Sequence, residues 1–361
     1  MEPLYARFEG YEDLKPLLDT SDEEVLLRLG KPALIRIPGT ELAPPGIPRS
    51  WARPPEPPRG ARFVSCLLHG NEDSGYRAVL ELLRTGARFP FDLWVFIGNV
   101  VAASHDGWFA HRFIDGQEDF NRVWGTGNPS TPMRRIADAV IAELDAVNLE
   151  AAIDLHNNTG ENPFYAIASD ARADTLTLAL TCADTVVEWK LRAYLLMEQL
   201  SSRCPAVGVE CGLAGRAEST AFAAGVLHRF LSAPSFEPSA NNAALLRMRY
   251  RVTVRGEIVF AFAHELTDGL DLALQPGLDG HNFGMLLAET KLGHVRLGAP
   301  MPLVASDMTG NDATKRLFAV RPGGRLVVTE DVVPLMMTRT ELQTRRDCLF
   351  YIARPGAWRR G

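Results

Sequence analysis

The stretch "CLLHGNEDSG", residues 66–75, runs from an apolar segment straight into a histidine, a glycine, an asparagine and a glutamate. The run that leads into it, "RFVSCLL", has the length and composition of a buried strand. The run that follows, "GYRAVLELLRTG", spaces its apolar residues for a helix and ends on a glycine suited to a C-cap. A strand feeding a helix through a polar turn is the start of an α/β unit. His69 and Glu72 fall at the carboxyl end of the strand, where open α/β sheets place their ligands.

The same alternation continues outward. "FDLWVFIGNV" reads as a second buried strand. "TPMRRIADAVIAELDAV" reads as a helix with Thr131 as N-cap and Pro132 in its first position. "EAAIDLH" is a third strand, residues 171–189 and 218–232 are expected to be helical, and "AVGVEC" between them is another strand. Strands alternating with helices imply an α/β fold with a mixed, mostly parallel sheet and helices on both faces. Beyond about residue 245 the chain becomes short strands separated by Gly, Pro and Asp turns, which reads as a smaller β domain. Residues 1–60 read as an N-terminal arm ending in a proline-rich linker, and the acidic run "YEDLKPLLDTSDEE" within it as a solvated helix. The expected division is therefore 1–60, 61–244 and 245–361.

Composition excludes several classes. The chain has 361 residues, 46% of them apolar, so it can bury a sizeable core. Its 38 basic and 44 acidic residues leave a net charge of −6, which argues against a nucleic-acid or anionic-membrane binder. No uncharged apolar run is long enough to span a bilayer, and the N-terminus lacks a signal-peptide core. The five cysteines are scattered and never spaced C-x-x-C, which suits reduced thiols in a cytoplasmic protein.

The polar residues at the strand ends leave two readings open, ordinary loop polarity and a metal site. A catalytic zinc takes three protein ligands, commonly two His and one carboxylate. An H-x-x-E turn supplies an imidazole and a carboxylate, and His156 in "DLHNNTG" stands at a second strand end. Asp154 lies two residues earlier, on the same strand face, where it can accept the imidazole N–H. The loop "HRFIDGQEDFNRVW", residues 111–124, offers Asn121 and Arg122 as an amide and a guanidinium fork for a carboxylate. Glu210 sits in the otherwise apolar strand end "AVGVECG", where a carboxylate is costly unless paired, metal-bound or catalytic.

Taken in order, "HGNE", "DFNR", "DLHN" and "VGVECG" resemble the motifs of the succinylglutamate desuccinylase/aspartoacylase family, zinc amidohydrolases related to the M14 zinc carboxypeptidases. The resemblance covers about residues 60–230, and "HNFGMLLAE" in the β region extends it faintly. It implies a zinc-carboxypeptidase-like fold and one Zn²⁺ per chain on His69, Glu72 and His156. It implies Glu210 as the catalytic glutamate acting on a zinc-bound water. Arg112 resembles the arginine that polarises the scissile carbonyl, and Asn121 with Arg122 the pair that grips the substrate carboxylate. The expected partner is a small carboxylate-bearing N-acyl amino acid, with further copies of the chain as the only protein partner envisaged. A peptide-cleaving zinc carboxypeptidase and a non-catalytic carboxylate binder are the alternatives. The chain departs from the family in placing Cys211-Gly212-Leu213 after the glutamate, and only Arg203 suggests itself as a second carboxylate-binding arginine. His105, His111 and the pair His264-Glu265 are read as loop or strand-end polarity, Cys211 as a buried filler, and Phe164 and Tyr165 as core.

Overall fold

The computed structural model describes residues 3–40, 60–190, 192–236 and 244–356. The first elements are β1 (Ala6–Glu9), α1 (Tyr11–Leu18), α2 (Asp22–Leu29) and β2 (Ala33–Ile37). β3 (Ala61–Cys66), α3 (Asp73–Arg84), β4 (Leu93–Ile97), α4 (Val100–Ala103) and α5 (Pro132–Asp145) follow. Then come β5 (Leu149–Asn158), β6 (Tyr165–Ala168), α6 (Ala173–Cys182), β7 (Thr185–Glu188), α7 (Leu196–Leu200), β8 (Ala206–Leu213) and α8 (Ala217–Ser232). β4, β3, β5 and β8 lie side by side and parallel in the middle of one large sheet.

Period-2 alternation divides these central strands between two cores. Phe63, Trp94, Phe96 and Ala152 face the helices α5 and α7, packing on Ile136, Val140 and Leu196. Val64, Cys66, Val95, Ile97, Ile153 and Leu155 face the other way, toward Val79, Leu178 and Val226 of α3, α6 and α8. Strands buried on both faces have no polar side, which is why they read in the sequence as continuous apolar runs. Thr131 caps α5 through the N–H of Arg134, with Pro132 in its first turn, as its sequence predicts.

Residues 3–40 are not an arm. β2 pairs antiparallel with β4, and β1 pairs parallel with β2, so the segment forms one edge of the large sheet. The expected solvated helix is two helices that send Leu14, Val25, Leu26 and Leu29 into the core, while Asp22 accepts from Arg77 and Arg84. The proline-rich end of that stretch, residues 41–59, lies outside the described residues. The helix expected over 171–189 stops at Cys182, and the β-branched run after it becomes β7.

The boundary at 245 also moves. β9 (Ala244–Val254) pairs parallel with β7 in the large sheet. The remaining strands are β10 (Phe260–Phe262), β11 (Leu272–Leu274), β12 (Lys291–Val295), β13 (Leu303–Asp307), β14 (Phe318–Arg321), β15 (Arg325–Val328), β16 (Val333–Leu335) and β17 (Phe350–Gly356). β13, β16 and β17 join β9 and extend the large sheet, whereas β10, β11, β12, β15 and β14 make a separate five-stranded sheet. Half of the C-terminal region therefore continues the large sheet, and only the remainder is a β layer of its own.

Arg62 is the one charged side chain buried inside the strand β3. Its Nε donates to Glu150 at 2.9 Å, and its other nitrogens donate to the carbonyls of Phe230 and Ala233 at the end of α8. The guanidinium lies 4.2 Å from the Phe91 ring centroid. A cation here satisfies orphan carbonyls at a helix C-terminus and opposes the negative end of its dipole. Arg62→Met is expected to cost about 2–4 kcal/mol of stability in chemical denaturation, because it strips a charged partner from buried acceptors.

Candidate metal centre and active site

The turn after β3 is shaped by close approach. Leu67 adopts φ 58°, a left-handed conformation that a leucine holds only under tertiary constraint. A side chain at Gly70 would lie 2.6 Å from the Ala103 nitrogen, and one at Gly75 would lie 2.6 Å from Leu155 Cβ. The two glycines of "HGNEDSG" thus let the turn and the first turn of α3 press against α4 and β5. Glu72 occupies the N-cap position of α3, where the helix dipole favours its negative charge.

Glu72 lies between the two histidines. His69 Nδ1 is 2.7 Å from Glu72 Oε1, and His156 Nδ1 is 2.8 Å from Glu72 Oε2. The three side chains are buried, and their donor atoms lie within 4.8 Å of one another. The far nitrogen of each ring is held by a carboxylate. His156 Nε2 lies 2.6 Å from Asp154 Oδ2, and His69 Nε2 lies 3.0 Å from Asp119 Oδ1. Asp154 is steadied by Ser65, which donates to its Oδ1 at 2.7 Å.

This arrangement suits a cation. A carboxylate acceptor at Nε2 keeps a ring proton there, so a cation that displaced the Nδ1 proton would meet an inward lone pair. Two inward lone pairs and a carboxylate then converge on one point, which is the donor set of a His-Glu-His metal site. Charge follows the same pattern. Burial pushes the Glu72 carboxyl up, but His69 and His156 outweigh it and hold it well below its ordinary value. Burial pushes His156 down, but Asp154 and Glu72 outweigh it and hold the imidazole well above its ordinary value.

Asp119 is the residue the sequence analysis passed over, although it begins the quoted "DFNR". Besides His69, it accepts from Arg112 Nε at 3.0 Å and Nη2 at 2.8 Å. Burial raises its carboxyl, and His69 and Arg112 bring it well below its ordinary value. Asn157 was also missed. Its N–H donates to Glu72 Oε2 at 3.2 Å, and its side chain ties Ser74 of α3 to the Gly212 carbonyl near the end of β8. The clue to both was adjacency to a proposed ligand motif, which sequence spacing alone does not convert into contact.

Glu210 stands beside His156 across the β5–β8 pairing, and both line a cavity of about 130 Å³. Burial pushes its carboxyl up to about 7. Arg112 and Arg122 line the same cavity, with Arg112 Nη1 3.5 Å from Glu72 Oε1. Asn121 is buried and engaged by the protein itself: its Oδ1 accepts from the Leu196 N–H at 3.1 Å, and its Nδ2 lies 3.2 Å from His156 Nε2. Arg203 pairs with Asp145 and does not line the cavity. Tyr351, from β17, does line it. His105 and His111 contact each other instead of the metal donors, and His264 with Glu265 lines a separate recess beside His294. Tyr165 is core, whereas Phe164 is 37% exposed and stacks on Phe222. All five cysteines are buried and free, and burial raises the Cys211 thiol well above its ordinary value, which leaves it unreactive.

Fold and site together define a class: an α/β protein with a mostly parallel central sheet and a His-Glu-His group at the carboxyl ends of its central strands. Residues 60–224 match the model of the succinylglutamate desuccinylase/aspartoacylase catalytic domain. Murine aminoacylase 3 shares the fold at 17% identity, with a TM-score of 0.57 over 84% of this chain and 98% of that one. A succinylglutamate desuccinylase from Chromobacterium violaceum does so at 17% identity, with a TM-score of 0.52 over 83% of this chain and 86% of that one. No curated protein matches the chain. No helix among the described residues is long and apolar enough to cross a membrane.

Carboxylates that orient metal-binding imidazoles commonly contribute 10- to 100-fold in metal affinity. Asp119→Asn is therefore expected to weaken metal binding by about that factor in competition with a chelator, and His156→Ala to lose the metal. His111→Ala should bind metal as the parent does.

Proposed function

We propose that the chain is a zinc-dependent amidohydrolase that removes the acyl group from a small N-acyl amino acid. The observation that carries this reading is the placement of Glu210: it stands on the strand next to His156 and faces the same cavity as His69, Glu72 and His156, and burial raises its carboxyl to about 7. A general base works best when its proton affinity lies near the working pH. The family match over residues 60–224 supports deacylation as the reaction class.

His69, Glu72 and His156 would hold the zinc, which when bound supplies a Lewis acid that polarises the amide carbonyl and acidifies water. Glu210 takes a proton from the attacking water and returns it to the departing amine. Arg112 is held by Asp119 with Nη1 turned toward Glu72, so it donates to the carbonyl oxygen as negative charge builds there. Arg122 binds the substrate carboxylate. Asn121 serves differently from the fork drawn from the sequence: its Oδ1, spent on the Leu196 N–H, positions the start of α7. Side chains from the C-terminal region, among them Met336, Asp347 and Tyr351, wall one side of the cavity and restrict it to small substrates.

Glu210→Gln is expected to lower turnover by about 10²- to 10⁴-fold with metal content unchanged. Near-parental turnover would make Glu210 structural and remove the mechanism. Arg122→Ala should lower kcat/KM by roughly tenfold or more on a free carboxylate and much less on its amide-blocked counterpart, with Arg122→Lys recovering only part.

A further inference from the structure

The cavity wall carries information about the substrate that the metal donors do not. Positive charge in it is scarce. Among the described lining residues, Arg112 and Arg122 are the two cationic side chains apart from the metal-site histidines. Arg112 already gives two donors to Asp119. Arg122 donates Nη1 to the Asn121 carbonyl and keeps Nη2 3.8 Å from Asp347, longer than a hydrogen bond. The wall can therefore pair one substrate carboxylate.

The remaining surface rejects a second charge. Asp347 faces the cavity and would repel it; its Oδ1 is 3.3 Å from Arg251, on the side of β9. Glu198 is committed to the N–H groups of Ala193 and Leu195. Ile167, Trp189, Leu195, Met197, Met336 and Tyr351 supply a largely apolar lining. Three buried polar atoms in the same wall have no protein partner: Asn158 Nδ2, Asn162 Oδ1 and Ser169 Oγ. They are neutral, so they can satisfy an amide but cannot balance a carboxylate. Lys190 and Arg192 line an adjacent recess, where Lys190 pairs with Glu188 at 3.0 Å and Arg192 lies 5.0 Å from the Tyr194 ring centroid.

We propose that the site selects acyl amino acids with a single carboxylate and one apolar group, aliphatic or aromatic, and discriminates against dicarboxylic substrates. The carboxylate sits on Arg122 and the apolar group against Ile167, Trp189 and Met336. That group is either the amino-acid side chain or the acyl tail, since both present the same hydrocarbon surface. An unpaired carboxylate against this wall forfeits its hydration, whereas hydrocarbon gains by leaving water. The proposal deepens the deacylase reading and rests on it only for turnover.

The test uses the full-length, zinc-loaded protein in two measurements. Binding to the Glu210→Gln protein is measured calorimetrically for N-acetyl-leucine, N-acetyl-phenylalanine, N-octanoyl-glycine, N-acetyl-aspartate and N-succinyl-glutamate. Hydrolysis of the same compounds by the parental enzyme is measured in parallel. The apolar monocarboxylates are expected to bind at least about tenfold more tightly than the two acidic compounds. Whether N-octanoyl-glycine or the two acetylated residues lead tells acyl tail from side chain. Equal or tighter binding of the acidic compounds overturns the proposal, whatever the hydrolysis result. Apolar preference in binding with no hydrolysis of any compound upholds it and instead removes the deacylase reading. Met336→Lys, which adds a cation to the wall, should shift the binding ratio toward N-acetyl-aspartate by about tenfold; an unchanged ratio would show that Met336 does not face the substrate and would overturn the placement.

Discussion

Glu72 holds a buried negative charge between two imidazoles, and most of the site exists to keep it there. A lone carboxylate at this depth would take up a proton rather than stay ionised. Here it is compensated from four directions: His69, His156, the Asn157 N–H and the N-terminus of α3. The compensation then spreads outward, because each imidazole that faces Glu72 needs an acceptor behind it. Asp154 and Asp119 meet that need, and they in turn require Ser65 and Arg112. The result is alternating charge from the strand ends to the loop at 112–122. Such a network is stable only when complete, since removing one member strands its neighbour in a low-dielectric interior.

The fold supplies the geometry this network needs. β3 and β5 are parallel neighbours with Ser65 opposite Asp154, so the serine meets the aspartate by register alone. β8 follows on the other side of β5 and delivers Glu210 next to His156. Strand pairing therefore sets two of the contacts without any help from loops. A third, Asp119 with His69, comes from a loop and has to be tied down. The Gly70 N–H donates to the Arg112 carbonyl at 2.9 Å, and Asn99 Nδ2 donates to Gln117 at 3.0 Å, so the loop is pinned to the turn and to α4.

What the sequence revealed, and what it hid, follows from the range of the interactions. The strands β3, β4, β5 and β8, the caps of α5 and the trio His69, Glu72 and His156 are written in local patterns: apolar runs, an N-cap followed by proline, polar residues at strand ends. Asp154 was legible because a strand puts residues two apart on one face. Asp119 was not, because its contact with His69 spans fifty residues and depends on how a loop folds back. The edge strands β1 and β2 were hidden for a similar reason. "ARFE" and "ALIRI" are short, they flank an acidic helical run, and a proline-rich segment separates them from β3. Their identity as strands rests on pairing with β4, which no local pattern announces. The C-terminal strands show the same limit: β9 and β10 follow one another in the chain, yet one continues the large sheet and the other belongs to the small one.

Chemistry and selectivity are consequently encoded in different parts of the chain. The metal donors, their carboxylates, Arg112 and Glu210 all lie between residues 69 and 210, on or next to the central strands. Much of the wall opposite comes from residues 336–351, which reach the cavity only because β16 and β17 join the large sheet through β9. Arg122 and Asp347 face each other where the two parts meet. An acidic residue at that point does little for the metal network, which is already balanced by its own carboxylates. Its effect falls on whatever lies between Arg122 and the apolar wall. Substitutions at residues 336–351 can therefore reshape this wall while leaving the buried charge network intact.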